Sequence, residues 1–201
     1  MKKVILALIV TLLLTNASVV TAEIFPALEL ERNSSGYTLP GTNRTHGWEF
    51  TVTEDLQVVG LGIFDLFDDG LYLSHEIGIW ENGELLFSTT IPAGSTETVL
   101  IDQFRYIETE PFWLTAGETY VIGNTTPGDP FVGNDNLARI TTLPSITYER
   151  TVISPSWSGF SLPTMEREFY LFGPNFLVIP EPMTVVLFGI GAVIIARRSR
   201  M

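Results

Sequence analysis

The chain of 201 residues has no cysteine, and its only lysines are Lys2 and Lys3. The first absence excludes disulfides, so stability must come from a packed core, with or without help from a bound metal. The second leaves arginine as the sole basic residue of the interior. Between Glu23 and Pro182 stand six arginines and all 23 acidic residues, a net charge of −17 for that stretch. Such a surface repels nucleic acid and anionic lipid headgroups, because binding either depends on neutralising phosphates. Nucleic-acid partners are set aside on that ground. Histidine is nearly absent too. His46 and His75 are the only two, which without a fold contact between them do not make a zinc site. No window between residues 23 and 179 carries a convincing helical period, and there is no internal repeat or low-complexity tract.

Long apolar runs occur at the two ends. Lys2 and Lys3 precede Val4 to Leu14, and Val20-Thr21-Ala22 supplies small residues at cleavage positions. This is the pattern of a secretory signal peptide cut after Ala22. At the other end, Pro180-Glu181-Pro182 fences off the uncharged run Met183 to Ala196, and Arg197, Arg198 and Arg200 close the chain. Arginines after an apolar run keep that side cytoplasmic, which places everything before Met183 outside the cytoplasm. The run has 14 residues, about 21 Å of helix at roughly 1.5 Å per residue. A bilayer core is about 30 Å thick and usually needs about 20 residues, so this transmembrane helix is a weak anchor that needs bilayer thinning or snorkelling arginines.

Proline-glutamate-proline, a short apolar helix and an arginine cluster, in that order, resemble the PEP-CTERM sorting signal of Gram-negative bacteria. The resemblance implies recognition and cleavage near Pro180-Glu181-Pro182 by an exosortase-type membrane transpeptidase. It also implies delivery to the cell surface or the extracellular polysaccharide matrix.

Between the ends lie 157 residues, 23–179, enough for one domain. Trp48-Glu49-Phe50-Thr51-Val52-Thr53 alternates apolar and polar residues, as a half-buried strand does. Leu56 to Phe64 is more apolar and carries Gly60 and Gly62, where close packing or a bulge is expected. Ile77-Gly78-Ile79-Trp80 and Leu85 to Ile91 flank Asn82-Gly83, the strongest short hairpin signal in the chain. Further strands are expected at 98–101, 104–107, 119–122, 146–153 and 169–179. Turn signals fall at Pro92-Ala93-Gly94, Thr115-Ala116-Gly117 and Pro127-Gly128-Asp129-Pro130. Many short strands with regular turns predict an all-β fold, an antiparallel β-sandwich or jelly roll.

From Gly47 to Asn124 the order of features resembles a domain of unknown function that recurs in bacterial secreted and PEP-CTERM proteins. The likeness rests on Gly47-Trp48-Glu49-Phe50-Thr51, Asp69-Gly70-Leu71, 74–80, Gly83-Glu84-Leu85-Leu86 and 114–122. It implies a β-sandwich module with no assigned activity.

Three groups of residues could carry chemistry. Asp65, Asp68 and Asp69 precede Gly70, with Glu76 beyond it, and a carboxylate-rich loop with glycine can supply oxygen ligands to calcium. The spacing is not that of an EF-hand, and the alternative is a solvated acidic loop between strands. Trp80, Trp113, Trp157, Tyr72 and Tyr106 could stack on sugar rings if they face solvent, although most aromatics in a sandwich are core. Ser74-His75-Glu76 are neighbours in sequence, but adjacent strand residues point to opposite faces, which argues against a catalytic triad. His75 is expected to be structural, hydrogen-bonded at a strand start.

Two functions follow. One is a non-catalytic surface or matrix protein, exported and sorted by its tail, associated with extracellular polysaccharide. The other is an extracellular polysaccharide hydrolase, which would need two carboxyls set a few ångströms apart in a cleft.

Overall fold

The computed structural model describes residues 23–31, 37–38, 44–129, 131–134, 140–157, 159–167 and 170–180. The signal peptide, Glu181, Pro182, the helix expected at 183–196, and Arg197 and Arg198 lie outside the described residues.

Among the described residues all regular structure is strand. In chain order the strands are β1 (Phe25–Pro26), β2 (Leu28–Leu30), β3 (Tyr37–Thr38), β4 (Thr45–Val52), β5 (Leu56–Phe64), β6 (His75–Glu81), β7 (Glu84–Ile91) and β8 (Val99–Ile101). There follow β9 (Phe104–Leu114), β10 (Thr119–Thr125), β11 (Val132–Asn134), β12 (Ile140–Thr142), β13 (Ile146–Ile153), β14 (Met165–Glu166), β15 (Tyr170–Phe172) and β16 (Pro174–Pro180). A five-stranded sheet in the order β1-β16-β5-β9-β8 and a six-stranded sheet in the order β14-β13-β4-β10-β6-β7 form a sandwich-like arrangement. A three-stranded sheet, β15-β11-β3, and a two-stranded one, β12-β2, complete the set. All pairings are antiparallel.

The alternation read in β4 is the alternation of burial. Trp48, Phe50 and Val52 are fully buried, while Glu49 and Thr51 between them are half-exposed. The buried face meets β16 of the other sheet. Phe176 stacks on Trp48 at 6.0 Å between ring centroids and lies 5.1 Å from Phe50. The Trp48 indole Nε1 donates to the Pro174 carbonyl (2.9 Å), so the polar tip of the largest core side chain is satisfied across the gap between sheets. Leu56, Val58, Leu61, Ile77, Ile79 and Ile122 fill the space around these rings. Each such side chain contributes about 1.5–3 kcal/mol on burial.

β5 bulges beside the glycine that hinted at it. Val58 and Gly60 pair with β9 and with β16, while Val59 between them pairs with neither. The Asn82-Gly83 signal is a two-residue hairpin loop between Glu81 and Glu84. Both loop residues have positive φ, 50° and 87°, as a type I′ turn requires.

Candidate functional site

The acidic residues that the sequence brought forward converge on one end of the sandwich, where β5 and β10 run out into loops. A cavity of about 400 Å³ opens there, lined by Asp65, Asp69 and Asp129 together with Phe64, Gly70 and Tyr72.

Asp65 follows the last residue of β5 and is buried. Its Oδ2 accepts from the Gly70 amide (2.8 Å) and from Arg105 Nε (2.7 Å). Arg105, on β9 and also buried, sends Nη2 to the Asp68 carbonyl (2.6 Å). The loop that resembled a metal site is thus a turn closed on an ion pair: Asp65 anchors both its ends, and Arg105 supplies the positive charge. The two charged side chains hold each other in the interior, where either alone would be costly.

Asp68 and Asp69 face solvent, and Glu76 is exposed on β6. Among the described residues no three of His, Cys, Asp and Glu come together to hold a metal. The four acids of the calcium reading are therefore divided, one spent on Arg105 and three directed to water.

Asp129, in the turn after β10, organises the other side of the cavity. Its Oδ1 accepts from the Tyr72 amide (2.8 Å), and its Oδ2 accepts from the Leu73 amide (2.9 Å) and His75 Nε2 (2.8 Å). Burial alone would raise the Asp129 pKa; the bond from His75 and those from the two amides outweigh it and hold the carboxyl below its ordinary value of 3.8. His75 is 1% exposed, and its Nδ1 lies 2.6 Å from the Thr125 carbonyl. The Thr125 carbonyl and the Asp129 carboxylate thus engage both ring nitrogens of His75.

This arrangement has a chemical consequence. With Nδ1 and Nε2 both engaged, His75 has no nitrogen free to take a proton from a hydroxyl. Ser74 and Glu76 are exposed on either side of the buried His75, the alternation that argued against a triad. His75 stands at the start of β6 in the structural role expected of it. His46 is a strand away, on β4, its ring tilted against that of Phe131 with centroids 4.5 Å apart. Burial first, then the charges of Arg167 and Arg44, lower its pKa to about 4.

The aromatic candidates separate cleanly by exposure. Tyr72 is 79% exposed at the cavity rim, Trp113 is 50% exposed on β9, and Trp157 is 63% exposed. Trp80 leaves the list of sugar-stacking candidates: it is 5% exposed, with its ring 5.0 Å from that of Phe160. Trp80 follows Ile79 and so falls on the face of β6 opposite the inward-facing Ile77 and Ile79, where the segment 159–164 covers it. Tyr106 leaves the list as well, buried at 2%. Two residues central to this end of the molecule, Arg105 and Asp129, were not singled out from sequence. Their partners lie 40 and 54 residues away, and only the turn signal around Gly128 marked the place.

No family model matches the chain, and no curated protein does either. Relation to sorted surface proteins is accordingly a proposal, argued from the tail and from this geometry.

Proposed function

We propose that the protein is an exported, non-catalytic cell-surface or extracellular-matrix protein, associated with polysaccharide and sorted by its C-terminal tail. The observation that carries this reading is the pair of targeting ends: a cleavable signal pattern at 1–22 and the sequence Pro180-Glu181-Pro182, apolar run and arginines at 180–201. An exosortase-type enzyme is the processing partner, and the helix at 183–196 is the transient membrane anchor. The body between, residues 23–179, is taken as one jelly-roll-like domain.

The commitments of its buried ionisable groups support a binding or display role. His75 is saturated, Asp65 is held by Arg105, and Asp129 accepts three hydrogen bonds. The hydrolase alternative needs one carboxyl free to act as acid and another as base or nucleophile. At the cavity two of the three aspartates are already engaged, which leaves Asp69 without a free partner there. Exposed Tyr72, Trp113 and Trp157 supply flat apolar faces of the kind that stack on pyranose rings.

The test is a pull-down of the full-length chain on extracellular polysaccharide from the producing cells, with calcium, with magnesium and with neither. Retention that releases no reducing sugar is the expected result. Release of reducing ends that depends on Asp69 contradicts it and favours the hydrolase.

A further inference from the structure

The two most exposed aromatic side chains among the described residues stand on the same concavity. Phe67 is 76% exposed and Tyr72 is 79% exposed, and both line the cavity of about 400 Å³ at the end of β5 and β10. That volume falls within the roughly 300–1,000 Å³ of small-ligand sites. Single apolar side chains in water are ordinary, but two large rings on one cavity with a polar lining mark a place where something binds.

The backbone beneath each ring is fastened. Asp65 Oδ2 holds the Gly70 amide and Arg105 holds the Asp68 carbonyl, which fixes the turn that presents Phe67. Leu71 and Gly94 exchange two backbone bonds, of 3.3 and 2.7 Å, and tie the same loop to the segment after β7. Asp129 takes the amides of Tyr72 and Leu73. The Tyr72 ring lies beside Gly128, where an added Cβ would come within 3.7 Å of its Cδ1. Rings carried on a fixed backbone lose little conformational freedom when a ligand arrives.

The charge of the lining has one sign. Asp65, Asp69 and Asp129 line the cavity, while Arg105 and His75, which bond two of them, do not. Asp65 is only 4% exposed, and its Oδ1 accepts from no described residue, so one buried carboxylate oxygen is left for whatever enters. Asp69 is exposed and forms no ion pair with any described residue. These carboxylates do not converge closely enough to hold a metal ion. A cation carried on a ring, with apolar faces beside its charge, uses the aromatics and the carboxylates together. We propose that the cavity binds a protonated amino sugar of an extracellular polysaccharide: pyranose faces stack on Tyr72 and Phe67, and the ammonium bonds to Asp69 and to Asp65 Oδ1. Ammonium-to-carboxylate bonds are charge-assisted, and an ammonium near an aromatic face gains cation–π attraction. The net charge of −17 on residues 23–182 draws a polycation in and repels uronates and phosphates. A lysine-rich peptide brings the ammonium but no ring to stack. The inference rests on the surface-module reading and names the ligand class for it.

The experiment is calorimetric titration of the full-length chain in detergent, in mildly acidic buffer that keeps sugar amines protonated. The probes are a glucosamine tetramer, its fully N-acetylated counterpart and tetralysine. The amine form should bind at least tenfold more tightly than the acetylated one, and more weakly as salt rises. Tyr72→Ala, Phe67→Ala and Asp69→Asn should each weaken it several-fold. All three side chains are exposed, so none of these changes should alter the melting temperature, and Asp65 and Asp129 are left intact because they hold the loops. Affinity indifferent to the three substitutions would mean general attraction to an acidic chain and would overturn the site. Equal affinity for the two sugar tetramers, no binding to either, or tighter binding of tetralysine would overturn it as well. Binding of the acetylated tetramer that survives all three substitutions overturns the site while leaving the surface-module reading in place. Cell fractionation, which asks nothing of the amine, tests that reading separately.

Discussion

Asp129 does more than any other described side chain to hold the loops at its end of the sandwich. It accepts from two amides and bonds the His75 ring, tying the turn after β10 to the segment entering β6. Asp129→Ala leaves a buried imidazole nitrogen and two amides without their acceptor, so it should destabilise the protein by about 3 kcal/mol or more in urea unfolding. The double change Asp129→Ala with His75→Ala should lose less than the sum of the single changes, because the pair is one interaction. Additive losses would mean the two residues do not act together. His46 gives a pH dependence of known sign. Its folded pKa near 4 lies below its ordinary 6.5, so the unfolded chain binds the proton more readily across that window. The His46 contribution is fully present above pH 6.5 and is lost as pH falls toward 4, by roughly 3 kcal/mol in all. The difference in stability between wild type and His46→Gln should shrink across that window and nowhere else. Asp129, whose folded pKa is depressed, loses its contribution only below its ordinary 3.8, so the two effects fall in separate ranges. At this scale the sequence was legible where burial follows a local period, as at Trp48 and Phe50. It was silent on Arg105 and Asp129, whose meaning comes from partners far away along the chain.

The strands that could be read were those long enough to show a period. β5 and β13 have the ends expected of them, 56–64 and 146–153, and the Asn82-Gly83 hairpin sits in its expected turn. β1, β2, β3, β11, β12 and β14 escaped, because two or three residues cannot display an alternation. Nor could local pattern reveal that β16 pairs with β5, a contact made more than a hundred residues along the chain. Trp80 shows the same limit. It ends an apolar run and is buried as that run suggested, but strand alternation points it away from the core between the sheets, beneath Phe160. Trp80→Ala should still cost about 3–5 kcal/mol, since a large buried ring is lost. A melting temperature within a degree or two of wild type would show that the segment 159–164 leaves it in water. Gly83→Ala should cost about 1–3 kcal/mol through backbone strain alone, because φ is +87° and no atom lies within 4 Å of the added Cβ. Gly47→Ala is a different matter. Its Cβ would collide with the Ile122 backbone carbonyl on β10, so the central β4–β10 pairing could not form as it stands, and this variant should fail to accumulate as folded protein.

Over the whole molecule, charge is the dominant property. With −17 on residues 23–182, any added cation relieves self-repulsion, and stabilisation by calcium alone says little. Because Asp65 is held by Arg105, calcium and magnesium at equal concentration should raise the melting temperature alike, and Asp68→Asn with Asp69→Asn should preserve that shift. A calcium-specific increment lost in the double variant would contradict the division of these acids between Arg105 and solvent. The central claim, that the chain is exported and then sorted by its tail, is tested most directly by fractionating cells that express the full chain with Pro180-Glu181-Pro182 replaced by alanines. Export needs only the N-terminal signal, and the apolar run 183–196 can halt transfer without the prolines. The altered protein should therefore cross the inner membrane, lose its first 22 residues and stay membrane-bound, while the native chain reaches the surface or medium. Equal release of the two would contradict sorting through this motif, and retention of either in the cytoplasm with an intact N-terminus would contradict export itself.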